Sequence, residues 1–186
     1  MFTKEEIRIA NSTYRSNGSS VFDKDGNVRS VVAKYVANNI SKDKKILDFG
    51  CGSEFIQGKY LRDLGFDVYG WDFGDNKPKD GVGELEQIYD VVYASNVLNV
   101  ISSLSMLMET LDQIYGCIKD GGVFIANYPQ SPRKMIIGER DLRDIITAKF
   151  HGETIKISGT SSPMWIFTKV GVGEIVPKWR RLKAKS

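Results

Sequence analysis

The chain of 186 residues contains one histidine and two cysteines. Cys51 and Cys117 lie far apart in sequence, so neither a disulfide framework nor a cysteine-based metal site is expected. No apolar run approaches the roughly 20 residues that cross a bilayer. The N-terminus, Met1-Phe2-Thr3-Lys4-Glu5-Glu6, is charged and lacks the apolar centre of a signal peptide. The expectation is a reducing, cytoplasmic setting with no membrane partner and no metal. There is no internal repeat and no low-complexity segment, and the phosphate loop G-x-x-x-x-G-K-[ST] is missing. An excess of one charge is missing too. With 26 Lys+Arg against 23 Asp+Glu the net charge is +3, which says little about a partner. The single histidine, His151, stands just before a predicted strand and reads as a surface residue rather than a general base.

What is present fits one well-buried domain. Residues 3–12 predict a short helix with Thr3 as N-cap and Glu6 as its capping-box partner. A polar loop follows at Tyr14–Ser20. Val28, Val31, Val32, Tyr35, Val36 and Ile40 share one helical face. Lys45–Phe49 reads as a buried strand, Phe55–Leu64 as a helix ended by Gly65, and Phe66–Trp71 as the next strand. Ile88–Ala94 is a strand, and Leu104–Ile118 is the most regular amphipathic helix in the chain. Asp120-Gly121-Gly122 is expected to end it before a strand at Val123–Asn127. A helix at Arg140–Phe150 and two strands, Glu153–Ser158 and Trp165–Val170, complete the order. No helix separates the last two strands, which predicts antiparallel pairing. Strands alternating with helices imply parallel pairing elsewhere and an α/β sheet. Three units are expected: an N-terminal segment (1–27) lying across the site as a lid, a domain (28–177), and a basic tail (178–186).

The chemistry concentrates in Asp48-Phe49-Gly50-Cys51-Gly52-Ser53 and in Asp72 at the end of the next strand. Glycines at alternate positions permit a sharp turn and a close approach of ligand to backbone. Two acids at neighbouring strand ends suit a ligand with hydroxyls and an ammonium group, and suit a pyrophosphate less well. The dinucleotide fingerprint G-x-G-x-x-G/A would need a small residue where Phe55 stands. Ser95 and Asn96 follow the Ile88–Ala94 strand, and ligands of open α/β sheets bind beyond such carboxyl ends. Asp90, at a strand start, reads as structural.

From about Lys44 to Val170 the chain resembles the class I S-adenosylmethionine (SAM)-dependent methyltransferases. Asp48–Glu54 stands where that family has an acid-x-Gly-x-Gly-x-Gly turn. Asp72 stands where it has the acid that binds the ribose hydroxyls, and Asp120-Gly121-Gly122 resembles its Gly-Gly turn. The resemblance implies a single-domain Rossmann-like sheet, mostly parallel with an antiparallel C-terminal strand pair and helices on both faces. It implies SAM as cofactor, with Asp48, Gly50, Cys51, Gly52, Asp72, Phe73, Ser95 and Asn96 as the binding residues. Asp48 would approach the methionine ammonium. Asp72 would face a solvent-filled site and accept the ribose hydroxyls, and Phe73 would pack on the adenine. Two departures stand out. Glu54 replaces the third glycine, and the stretch from Asp72 to Asp90 is short. The family normally places a helix, a strand and an adenine-binding acid or amide there, a role open to Glu84 or Glu86. Asn127-Tyr128-Pro129-Gln130 is not the Asn-Pro-Pro-Tyr box of amino-methylating enzymes. Tyr14, Asn127 and Tyr128 are the candidates for an acceptor pocket. The acceptor is a small molecule or a nucleic acid, the latter through the tail at 178–186. No catalytic base is assigned. A SAM-binding chain that transfers no methyl group, as a partner subunit or an enzyme consuming SAM otherwise, is the alternative.

Overall fold

A computed structural model describes residues 2–16, 28–129, 136–157 and 163–171. Its centre is β1 (Lys45–Phe49), whose last four residues are buried. Period-2 alternation sends Ile46 to one face of the sheet and Leu47 and Phe49 to the other. Both faces are therefore covered. α2 (Val31–Asn39) and α3 (Ile56–Asp63) supply Val32, Val36 and Leu61 to the first, and α4 (Leu104–Cys117) and α5 (Glu139–Phe150) pack on the second.

The sheet has six strands in the order β2-β1-β3-β4-β6-β5, with β2 Asp67–Trp71, β3 Tyr89–Ala94, β4 Ile118–Asn127, β5 His151–Ile157 and β6 Met164–Lys169. The first four strands in chain order are parallel, and β6 runs against both β4 and β5. The register sets Asp48 beside Gly70 on one side and Tyr93 on the other. The Rossmann-like sheet with its antiparallel end is the architecture expected from the sequence. No described helix is long and apolar enough to cross a membrane.

Local chemistry sets the helix starts. Ser30 and Ser103 cap α2 and α4, each hydroxyl accepting a backbone N–H at 3.1 Å, from Ala33 and Met106. α1 (Lys4–Ser16) begins with the expected capping box. Glu6 N–H donates to Thr3 Oγ1 at 3.1 Å, and Thr3 N–H donates to Glu6 Oε2 at 2.9 Å. The helix continues to Ser16, so the polar loop expected from Tyr14 starts inside it. The segment at 17–27 lies outside the described residues.

Two further differences have physical causes. Asp120-Gly121-Gly122 does not precede a strand but sits inside β4. Ile118 already pairs with Tyr89, and the next pair is Val91 with Val123, so the intervening residues bulge, with Gly121 at φ +78°. On the opposite edge, the short stretch after Asp72 makes one parallel bridge, Gly70 with Val82. Gly70 N–H donates to Gly81 O at 2.8 Å and Gly83 N–H to Gly70 O at 2.7 Å. No further strand forms there among the described residues.

The turn after β1 enters α3 through Phe55, which holds a left-handed φ of +50°. Its ring is wedged between Gly58 of α3 and Gly70 of β2, with the Arg62 guanidinium 5.1 Å from its centroid. A Cβ on Gly58 would lie 1.8 Å from that ring. Glycine to alanine in a helix ordinarily stabilises by about 1 kcal/mol. Here Gly58→Ala is expected to destabilise by about 1–3 kcal/mol, the cost of overpacking. Urea denaturation measures it, and a stabilised variant would show that Phe55 does not fill this space.

Candidate active site

The glycine turn is fixed from below. Gly50 N–H and Cys51 N–H both donate to Trp71 O, at 2.7 and 3.2 Å, which binds the turn to the end of β2. Gly50 and Gly52 have φ of +77° and +70°, conformations that L side chains rarely adopt. Their surroundings differ. A Cβ on Gly50 would come within 2.5 Å of Val97 Cγ2, whereas one on Gly52 would meet no atom within 4 Å. Gly50 lets the turn pack against the loop after β3. Gly52 borders open space.

Asp72 ends β2 and reaches back to this turn. Its Oδ2 accepts Gly52 N–H and its Oδ1 accepts Phe73 N–H, both at 2.6 Å. Only 7% of the residue is exposed, and that little borders the groove described below. Burial raises its carboxyl to about 6, although the two N–H donors favour the charge. It is an anchor of the turn as well as a carboxylate at a strand end.

Asp48 is buried more deeply, at 2% exposure. Desolvation lifts its pKa to about 7. The Tyr93 hydroxyl opposes that shift, the charge of Asp72 reinforces it, and the Gly58 backbone opposes it. Asp48 Oδ2 and the Tyr93 hydroxyl nonetheless have no completed hydrogen bond. A buried, unpartnered carboxyl oxygen is costly unless a cation or donor arrives. Cys51 is partly buried between the two acids. Its thiol is held protonated, by burial first and then by both carboxyls.

Ser95 and Asn96 form a second group after β3. Ser95 Oγ lies 2.9 Å from Ser30 Oγ, joining β3 to the start of α2. Asn96 is left-handed at φ +59° and pairs with Asn127. Asn127 Oδ1 accepts Asn96 N–H at 2.7 Å, and Asn127 Nδ2 donates to Asn96 Oδ1 at 2.8 Å. This amide pair ties the carboxyl ends of β3 and β4 together. Tyr128 is buried, and its hydroxyl donates to Ile137 O at 2.9 Å, so that hydroxyl braces the chain. The side chain of Tyr14 lies outside the described residues, as do Gln130 and the tail at 178–186.

Beyond Asp72 opens a groove of about 540 Å³. Its lining includes the apolar Phe2, Ile7, Trp71 and Phe73 and the polar Asp75, Lys77, Glu109 and Gln113. Of the residues singled out in sequence, Asp72 and Phe73 line it. Asp48, Gly50, Cys51 and Gly52 join them through the Asp72–Gly52 bond and the turn, and Val97 links Gly50 to the Asn96 group. Glu84 and Glu86, considered for adenine, are exposed and do not border the groove. Asp90 is structural. It accepts Lys45 N–H at 2.9 Å and pairs with Lys119. Sequence reasoning missed Tyr93, Ser30, Phe2 and Ile7. Only strand register and docking reveal them.

Residues 24–155 match the family described as a methyltransferase domain. The chain belongs to this family. It is a SAM-dependent methyltransferase, and SAM is its cofactor. Solved methyltransferases share the fold. The TehB-like SAM-dependent methyltransferase of Corynebacterium glutamicum superposes with a TM-score of 0.63 at 20% identity, covering 88% of this chain and 98% of that one. The sugar N-methyltransferase KedS8 of Streptoalloteichus gives 0.57 at 11%, covering 87% and 92%. SAM-bound CalS10 of Micromonospora echinaspora, an amino pentose methyltransferase, gives 0.53 at 13%, covering 89% and 97%. No curated protein matches in sequence.

The methyltransferase carries an electrostatic signature open to measurement. A carboxyl whose pKa is higher folded than unfolded binds its proton more tightly in the folded state. Its contribution to stability therefore falls as pH rises, from about 4 to about 7 for Asp48. Asp48→Asn removes that loss. Relative to wild type, the variant is expected to gain about 2–4 kcal/mol between pH 4 and pH 7.5. Denaturant titrations at both pH values measure the difference, and a constant difference would contradict the burial of an uncompensated Asp48.

Proposed function

We propose that the methyltransferase holds SAM across the turn after β1 and the end of β2, and methylates a small polar acceptor beyond β3 and β4. The observation that carries this reading is the pair of buried acids at adjacent strand ends, one with an oxygen that lacks a partner. The residues fit the cofactor group by group. Asp48, with the hydroxyl of Tyr93, would take the methionine ammonium. Asp72 would accept ribose hydroxyls with the lone pairs that Gly52 and Phe73 leave unused. Gly52 would leave room for the ligand, and Cys51 would pack beneath it. Phe73 would lie on the adenine. Ser95 and Asn96 would border the methionine end.

When bound, SAM supplies an electrophilic methyl group on a sulfonium. The protein's task is then to align donor and acceptor, so proximity carries most of the rate. Asn96 and Asn127, locked to each other at the ends of β3 and β4, are the residues proposed to face the acceptor, with Tyr128 bracing the strand exit. Tyr14 belongs to the same proposal through its place on α1. A neutral amide pair suits a polar acceptor whose own nitrogen or oxygen is nucleophilic, for which a general base is dispensable.

α1 meets the loops after both β2 and β3, which supports the N-terminal segment (1–27) as a lid over a domain at 28–177 and favours a small acceptor. The tail at 178–186 supports a second reading, a nucleic-acid acceptor. Free Cys51 and Cys117 accord with a reducing, cytoplasmic location.

Calorimetry with S-adenosylhomocysteine tests the cofactor site. Wild type is expected to bind. Asp72→Asn, which keeps an acceptor oxygen but loses the charge, is expected to bind about 10–100-fold more weakly, the scale of hydrogen bonds to a charged group. Absence of heat from folded wild type at millimolar ligand would overturn the assignment. Binding of tRNA or duplex DNA that falls steeply with salt, and vanishes on deletion of 178–186, would favour the nucleic-acid acceptor.

A further inference from the structure

α1 lies before residue 24, where the match to the methyltransferase domain begins, yet it lines the groove next to Asp72. We propose that α1, together with Phe2 just ahead of it, is part of the cofactor site and closes its nucleoside side, with Phe2 placed against the purine ring. The inference rests on the proposed role of Asp72.

Three contacts seat the helix. The Phe2 ring packs edge-on against Phe73, with centroids 4.7 Å apart and planes at 69°. Ile7 covers Gly74, the next residue of the post-β2 loop, at van der Waals distance from where a Cβ would stand. Glu6 Oε1 accepts the Ser103 hydroxyl at 2.5 Å, while its other oxygen closes the capping box with Thr3. The same carboxylate thus starts α1 and fastens it to the N-cap of α4. The helix spans the interval between the loops after β2 and β3.

That interval continues from Asp72. A ribose held by its carboxylate directs the attached base into the groove, whose volume of about 540 Å³ falls in the range of small-molecule sites. A purine has apolar faces and a polar edge. The groove is lined by the aromatic rings of Phe2, Trp71 and Phe73 and by the polar side chains of Asp75, Lys77, Glu109 and Gln113. Phe2 is a wall rather than a plug, because the groove is open with Phe2 in place. The edge of the sheet bears a single bridge in this region, and Glu84 and Glu86 lie away from the groove. α1 supplies covering that the short stretch after Asp72 does not.

Stopped-flow release of S-adenosylhomocysteine, followed through Trp71 in the groove wall and paired with calorimetry, tests this. Phe2→Ala is expected to raise the dissociation constant about five- to tenfold, chiefly through faster release, as for the loss of an aromatic contact. The melting temperature without ligand is expected to fall by no more than about 2–4 °C, and Phe2→Tyr to restore wild-type release. Glu6→Ala, which unfastens α1, should shift release in the same direction. Unchanged or tighter binding by Phe2→Ala, with wild type binding normally, would overturn the role of α1 and leave the cofactor site standing. Failure of wild type to bind would overturn the site itself.

Discussion

Two carboxyls buried close enough to repel each other dominate this fold. Asp48 and Asp72 end adjacent parallel strands, and burial raises the pKa of each. The protein treats them differently. Asp72 receives two backbone N–H donors, from Gly52 and Phe73, whereas Asp48 keeps an oxygen without a partner beside an equally unpartnered Tyr93 hydroxyl. Such a group detracts from stability, and functional sites tolerate such costs when they serve a ligand. On the proposed reading, the missing partner is the ammonium of SAM.

The surrounding architecture keeps those acids dry and in place. Trp71 O holds two N–H groups of the glycine turn, Val97 closes over Gly50, and the Phe55 ring fills the gap between α3 and β2. Phe55 also explains why the turn is not a dinucleotide site. The close helix–strand approach needs a small residue, and here Gly58 and Gly70 surround a buried aromatic ring instead. Across the sheet, Ser30–Ser95 and Asn96–Asn127 knit the strand ends to α2 and to each other, so the two halves of the site share one frame.

Much of this was legible in sequence because it is local. The five residues of β1, the periodicity of α4, the Thr3–Glu6 box and the spacing of Asp48, Gly50, Gly52 and Asp72 depend on near neighbours. What was not legible depends on distant residues. That Asp72 also anchors the glycine turn shows only once Gly52 N–H is seen bonded to it. That the Tyr128 hydroxyl braces the chain shows only once it is seen donating to Ile137 O. The Gly121-Gly122 turn reads as a boundary until Tyr89 pairs with Ile118 ahead of it. Tyr93 is an ordinary strand residue until register sets it beside Asp48. Phe2 and Ile7 carry no signal at all, since only the docking of α1 gives them a groove to line.

The central claim is that Asp48 awaits a cation, and calorimetry of S-adenosylhomocysteine binding in buffers of different ionisation enthalpy at pH 7 tests it most directly. With its pKa at about 7, Asp48 is roughly half protonated before binding and ionised beside the ligand's ammonium afterwards. The account predicts release of about half a proton at pH 7, shrinking toward pH 8 as Asp48 ionises before binding, and largely lost in any residual binding by Asp48→Asn. Binding heat that is the same in every buffer at pH 7 would contradict it.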